Sequence, residues 1–85
     1  MRLPIIKHLV EQDFDEDYFE ETVEVLVSLA DARGIKDEEL DTIGELVSNL
    51  EGAIVVKKQI KEGVPQKEAL NQFMKRVVGT LNKLN

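Results

Sequence analysis

The sequence predicts an all-α fold, a small bundle in which one short N-terminal helix joins three longer ones. Two observations carry this. Apolar residues recur three and four positions apart along most of the chain, and helix-starting and helix-ending residues bracket each periodic stretch. A third agrees: Gly 5 and Pro 2 are too few for a turn-rich β domain. With 85 residues there is room for one domain, spanning 1–85.

Helix one is expected near 3–12. Pro4 suits a first helical turn, where its missing donor is harmless. Ile5, Ile6, Leu9 and Val10 follow as one apolar stripe. Helix two is expected near 16–32, capped by Asp15 or Asp17, whose carboxylates suit the positive end of a helix. Phe19, Val23, Leu26 and Ala30 keep 4-3-4 spacing, and Tyr18, Val25 and Leu29 flank them. So broad a face suggests a central helix. Locally, Thr22–Val27 (TVEVLV) alternates and is β-branched, which also fits a strand. The pattern continues for four turns without a turn signal, which favours helix. Gly34 lies just past its end.

Helix three opens at Asp37, Glu38 and Glu39 and ends near Gly63, after Lys57, Lys58 and Lys61. That polarity matches the macrodipole at both ends. Leu40, Ile43, Val47, Leu50 and Ile54 form one seam, and Leu46, Ala53 and Ile60 repeat every seven beside it. The helix is long enough to bend at Gly52. Helix four starts at Pro65. Leu70, Met74, Val77, Leu81 and Leu84 keep 4-3-4-3 spacing, close to a coiled-coil pattern, and Phe73 widens the face.

Composition closes off several function classes. There is no cysteine, hence no disulfide framework and no thiol nucleophile. The net charge of −6 argues against general affinity for nucleic acid or anionic membrane. No apolar run approaches a membrane span, and Lys7 and His8 interrupt the only stretch that resembles a signal peptide. A cytoplasmic protein is expected. Charge is also uneven: residues 1–45 carry −10 and residues 46–85 carry +4, so the two halves should attract, within one chain or between two.

Four constellations bear on chemistry. Asp13, Asp15, Asp17 and Glu24 occupy ligand positions 1, 3, 5 and 12 of an EF-hand loop. Tyr18 stands where the sharp turn needs glycine, and Glu20 where an apolar residue is usual, so the run reads as an acidic helix start and no metal is expected. Gly44, Ser48 and Gly52 put small side chains on one face of helix three. No converging polar groups accompany them, which favours close packing of another helix over a ligand groove. His8 is the only histidine, without the companions of a nucleophilic site. Nothing singles out two of the 17 acids, and no glycine loop cradles phosphate, so no catalytic residue and no cofactor are expected. Finally, helices three and four imitate a helix-turn-helix in which Lys67, Lys75, Arg76 and Lys83 would face DNA, against an acidic remainder.

The segments RLPIIKHLVE, KDEELDTIGELVSNLEGAI and KEGVPQKEALNQFMKRVVG resemble a set of short bacterial proteins of unknown function. The resemblance covers most of the chain and its motifs are structural. It implies a helical domain, and an association with thiol-dependent peroxide enzymes in which this cysteine-free chain would be an accessory partner.

The function expected is a non-enzymatic protein-interaction module that associates with itself. Helices two, three and four each show apolar faces wider than one seam, more than a bundle this small can bury alone. A homodimer is expected, with Leu70, Phe73, Met74, Val77, Leu81 and Leu84 at the interface. The rival is a monomer in which helix four folds back over helices two and three. A nucleic-acid-binding regulator using helix four is the alternative function.

Overall fold

A computed structural model describes the backbone of residues 2–84 and the side chains of residues 2–77. It contains four helices, α1 (Leu3–Glu11), α2 (Glu16–Ala30), α3 (Asp37–Lys61) and α4 (Gln66–Leu84), and no strand among the described residues. The fold is a small all-α one. The alternating Thr22–Val27 stretch lies wholly within α2, and α3 runs unbroken through Gly52.

Each boundary has a local cause. Pro4 sits in the first turn of α1. The Asp15 carboxylate accepts from the Tyr18 N–H at 3.2 Å and caps α2. That helix stops at Ala30, two residues short of the expected end. Asp31 and Ala32 each donate to a carbonyl three residues back, which tightens the chain into the turn. Gly34 then takes φ 90°, a conformation that favours glycine. Glu39 reaches back to accept from the Lys36 N–H at 3.0 Å and fixes the start of α3. Its end is a Schellman motif: the Val64 N–H donates to the Gln59 carbonyl and the Gly63 N–H to Ile60, with Gly63 at φ 103°. Pro65 does not open α4. Its carbonyl accepts from the Ala69 N–H at 2.9 Å, so it stands one position before the helix.

The central helix is α3 and not α2. α1, α2 and α4 all pack on α3, whereas α2 touches no other helix among the described residues. The reason lies in the circumference of α3. Ile43 and Leu50 share one side, where Glu20 and Glu16 of α2 meet Lys58 and Lys61 at 3.6 Å each. Asn49, Gly52, Ala53 and Val56 share another, taken by α1 and α4. α1 runs parallel to α3, from Arg2 beside Asn49 to Gln12 beside Lys57. α4 returns alongside, and Gln66 near its start donates to Glu11 at the end of α1.

Asn49 is 2% exposed and the only buried polar residue among those described. Its Oδ1 accepts from the Arg2 N–H at 2.9 Å, and its Nδ2 donates to the Glu45 carbonyl at 2.9 Å. It therefore satisfies a free donor at the start of α1 and ties that helix to α3. Asn49→Ala should cost about 1–2 kcal/mol, because the donor at Arg2 is left part-buried without a partner. The checks are a Tm lower by roughly 5–15 °C and faster amide exchange confined to α1.

The buried core is small. Ile6, Val10, Phe19, Leu50, Ala53, Val56, Ala69, Leu70 and Phe73 form one cluster, and of the large side chains among the described residues only Ile6 and Val56 are fully enclosed. The chain is flat, 43 × 36 × 17 Å, with a radius of gyration of 14.0 Å. A compact chain of this length would have about 12 Å.

Candidate functional site

The sequence-selected residues fall into three groups. Leu70 and Phe73 are 6% exposed and lie in the core of their own chain, and Met74 and Val77 are half-buried against it. This part of the α4 seam is thus covered by α3 and α1, not held open to a second chain, because the face it needs is supplied by Gly52 and Ile6. The side chains of Leu81 and Leu84, and of Lys83, lie outside the described residues.

The small-residue strip divides. At Gly52 an added Cβ would stand 2.8 Å from Ile6 Cδ1 and 3.1 Å from Phe73 Cζ, so two helices converge there. At Gly44 nothing lies within 4 Å. Gly44 stands about 12 Å back along the α3 axis from Gly52, beyond the part that α1 and α4 cover, and Ser48 between them is half-exposed. Close packing therefore holds for Gly52 and not for Gly44.

The acidic run does not converge on a point. Asp15 caps α2, Asp17 is in its first turn and Glu24 is two turns further on, about 10 Å along the axis. Among the described residues no three His, Cys, Asp or Glu side chains gather as a metal site. His8 is exposed on α1, and Lys67, Lys75 and Arg76 are exposed on α4.

Two further features lie outside the candidate sites read from the sequence. The first is a cleft of about 470 Å³ between the α1–α2 connector and α3, walled by Phe14, Tyr18, Lys57, Ile60, Lys61 and Gln66. Its two lysines are already engaged. The Lys57 ammonium donates to the backbone carbonyls of Phe14 and, at 3.2 Å, Gln12, and stands 5.3 Å from the centre of the Phe19 ring. Glu16 is mostly buried, with Lys61 Nζ 3.6 Å from an oxygen that accepts no hydrogen bond. The cleft walls thus anchor the connector and leave few free groups to hold a ligand.

The second feature is an apolar row on α2. Tyr18, Val25 and Leu29, at i, i+7 and i+11, share one flank of the helix and are 59%, 67% and 47% exposed. Phe14 prolongs the row, its ring centre 5.8 Å from that of Tyr18 and 6.1 Å from that of buried Phe19. On α3, exposed Leu46 shares a side with Ala53 and Lys57, and Lys57 reaches the Phe14 end of the row. The neighbouring row on α2 is Asp17, Glu21 and Glu24. Between residues 13 and 31 there are eight acidic side chains and no basic one. An apolar strip beside a row of carboxylates offers binding area and sign selectivity, the elements of a docking surface.

The family described as a family of unknown function (DUF6952) matches residues 1–82. The chain belongs to this family. No curated protein and no solved structure matches it. The matched span takes in all of α1, α2 and α3 and most of α4, so the α2 row and the α4 face both fall within the DUF6952 domain.

Proposed function

We propose that this DUF6952 chain is a non-enzymatic protein-interaction module that associates with itself as a cytoplasmic homodimer. The observation that carries this reading is surface area. The chain exposes 6187 Å². A compact monomer of 9.6 kDa would expose about 5,100 Å². The excess of roughly 1,100 Å² goes with a flat shape and with large apolar side chains left in water on α2 and α3. No described helix is long and apolar enough to cross a membrane.

Light scattering tests the reading directly. The expected mass is twice 9.6 kDa at tens of micromolar. A mass of 9.6 kDa maintained to several hundred micromolar would overturn it.

A second reading has one observation in its favour. Lys67, Asn71, Gln72 and Lys75 line an open depression on α4 together with the acid Glu68, and bring donors of the kind that contact phosphates and base edges. The acidic α2 opposes close approach of a polyanion. Retention on heparin that falls steeply with salt would favour this nucleic-acid reading. Elution in the void at 50 mM salt is the expected result.

A further inference from the structure

We infer that the occupant of the α2 row is the outer face of α4 from a second copy of the chain, in a reciprocal two-fold dimer. The inference rests on the self-association proposed above and names the surfaces that make it. α2 and α4 flank α3 and do not touch each other. Each is left with one unsatisfied property. The α2 surface has exposed apolar area beside Asp17, Glu21 and Glu24. The α4 surface has exposed Lys67, Asn71 and Lys75 at i, i+4 and i+8, beside half-buried Met74. None of these five charged side chains forms an ion pair within the described part of its own chain.

The two rows match in sign and in length. Asp17 to Glu24 spans about 10 Å along a helix axis, and Lys67 to Lys75 about 12 Å. Lysine also suits the apolar strip, since its methylene stem lies on apolar surface while the ammonium reaches a carboxylate. Charge excludes the simplest alternative, α2 packed on its own copy. That arrangement would set the Asp17, Glu21 and Glu24 row against its own copy, and close like charges across an interface cost several kcal/mol. Packing α2 on α4 reverses the sign, and a two-fold axis makes the contact twice and closes the assembly.

The test measures dimer dissociation constants by sedimentation of the full chain at 0.1–0.5 M salt. Val25→Lys with Leu29→Lys should give a monomer with an unchanged helical circular dichroism spectrum. Both positions are exposed, so folding should survive. Lys67→Glu with Lys75→Glu should weaken the dimer at least tenfold, and so should Glu21→Lys with Glu24→Lys. Combining the four charge reversals in one chain should restore the dissociation constant to within about threefold, because each contact then carries the opposite pairing. A Val25→Lys, Leu29→Lys chain that dimerises like the unmodified protein would overturn the α2 surface. A Lys67→Glu, Lys75→Glu chain with an unchanged constant would overturn α4 as its counterpart. In both cases the unmodified protein would still be dimeric, which separates failure of these surfaces from failure of self-association.

Discussion

Phe73→Ala is expected to destabilise the protein by about 3–5 kcal/mol, a large part of the 5–15 kcal/mol that holds a small domain together. Phe73 is 6% exposed, and its ring lies over Gly52 where α4 crosses α3. Truncation removes transfer energy and leaves a cavity. Its walls include Ile6, which belongs to α1, and the backbone of α3. Three helices meet at that point, so no single one can move in to fill the gap. Urea denaturation followed by circular dichroism should show the midpoint falling in proportion to the lost stability, with the slope unchanged. The comparison is made at equal protein concentration, because association itself adds apparent stability. If Phe73 were an interface residue, its loss would yield a folded monomer. A Phe73→Ala chain with native helicity and a native unfolding midpoint would show that the α4 seam does not close the core.

Much of the architecture is legible in the sequence because its causes are local. Asp15, Pro4, Gly34 and Gly63 act on backbone groups within four residues, so the ends of α1, α2 and α3 can be read within one or two positions. Helix also outlasts the strand-like Thr22–Val27 stretch, because a 3.6-residue period kept for four turns outweighs alternation over six residues. What cannot be read locally is which apolar residue finds a partner. Val25 and Leu26 are neighbours of similar character, yet Val25 is 67% exposed and Leu26 packs against the core. The difference is set by which side of α2 rests on α3, since among the described residues α1 and α4 lie elsewhere on α3 and cover none of α2. The breadth of the α2 face therefore suggested a central helix, whereas its outer flank is open to water.

Asn49 stands between these cases. It falls three residues after Leu46 and four before Ala53, within an apolar row, and a polar residue placed there signals a buried hydrogen bond. Its partner, the N–H of Arg2, is invisible to periodicity. The role of Lys57 is hidden for the same reason. Near the end of α3 it looks like a cation complementing the macrodipole, and only the fold brings it to the carbonyls of Gln12 and Phe14. The candidate docking surface was half legible. Its acids and lysines are plain in the charge asymmetry of the two halves, whereas α4's apolar seam marks the side of that helix that packs on its own chain. Leu70 and Phe73 face inward, and the lysines face outward.

Gly52→Leu should cost more than about 3 kcal/mol, at or beyond the upper end of overpacking penalties, while Gly44→Ala on the same helix should stabilise by about 0.5–1 kcal/mol. The two glycines are eight residues apart and share a helical context, so propensity predicts a gain at both. Packing decides the sign. At Gly52 the first added carbon already stands 2.8 Å from Ile6 Cδ1, with Phe73 Cζ at 3.1 Å and Cε2 at 3.2 Å. The methyl end of Ile6 is flexible, but that side chain is 0% exposed and has nowhere to retreat. Leucine adds three more carbons to the same space. At Gly44 a Cβ meets nothing within 4 Å, so only the entropy gain remains. Thermal melts should place Gly44→Ala a few degrees above the unmodified protein and leave Gly52→Leu largely unfolded at 37 °C. The smaller change Gly52→Ala supplies the mechanism. Its penalty should shrink when Phe73→Leu is added, since the two side chains compete for one volume. Equal penalties in both backgrounds would show that Phe73 does not confine Gly52, and that α4 does not cross α3 at this point.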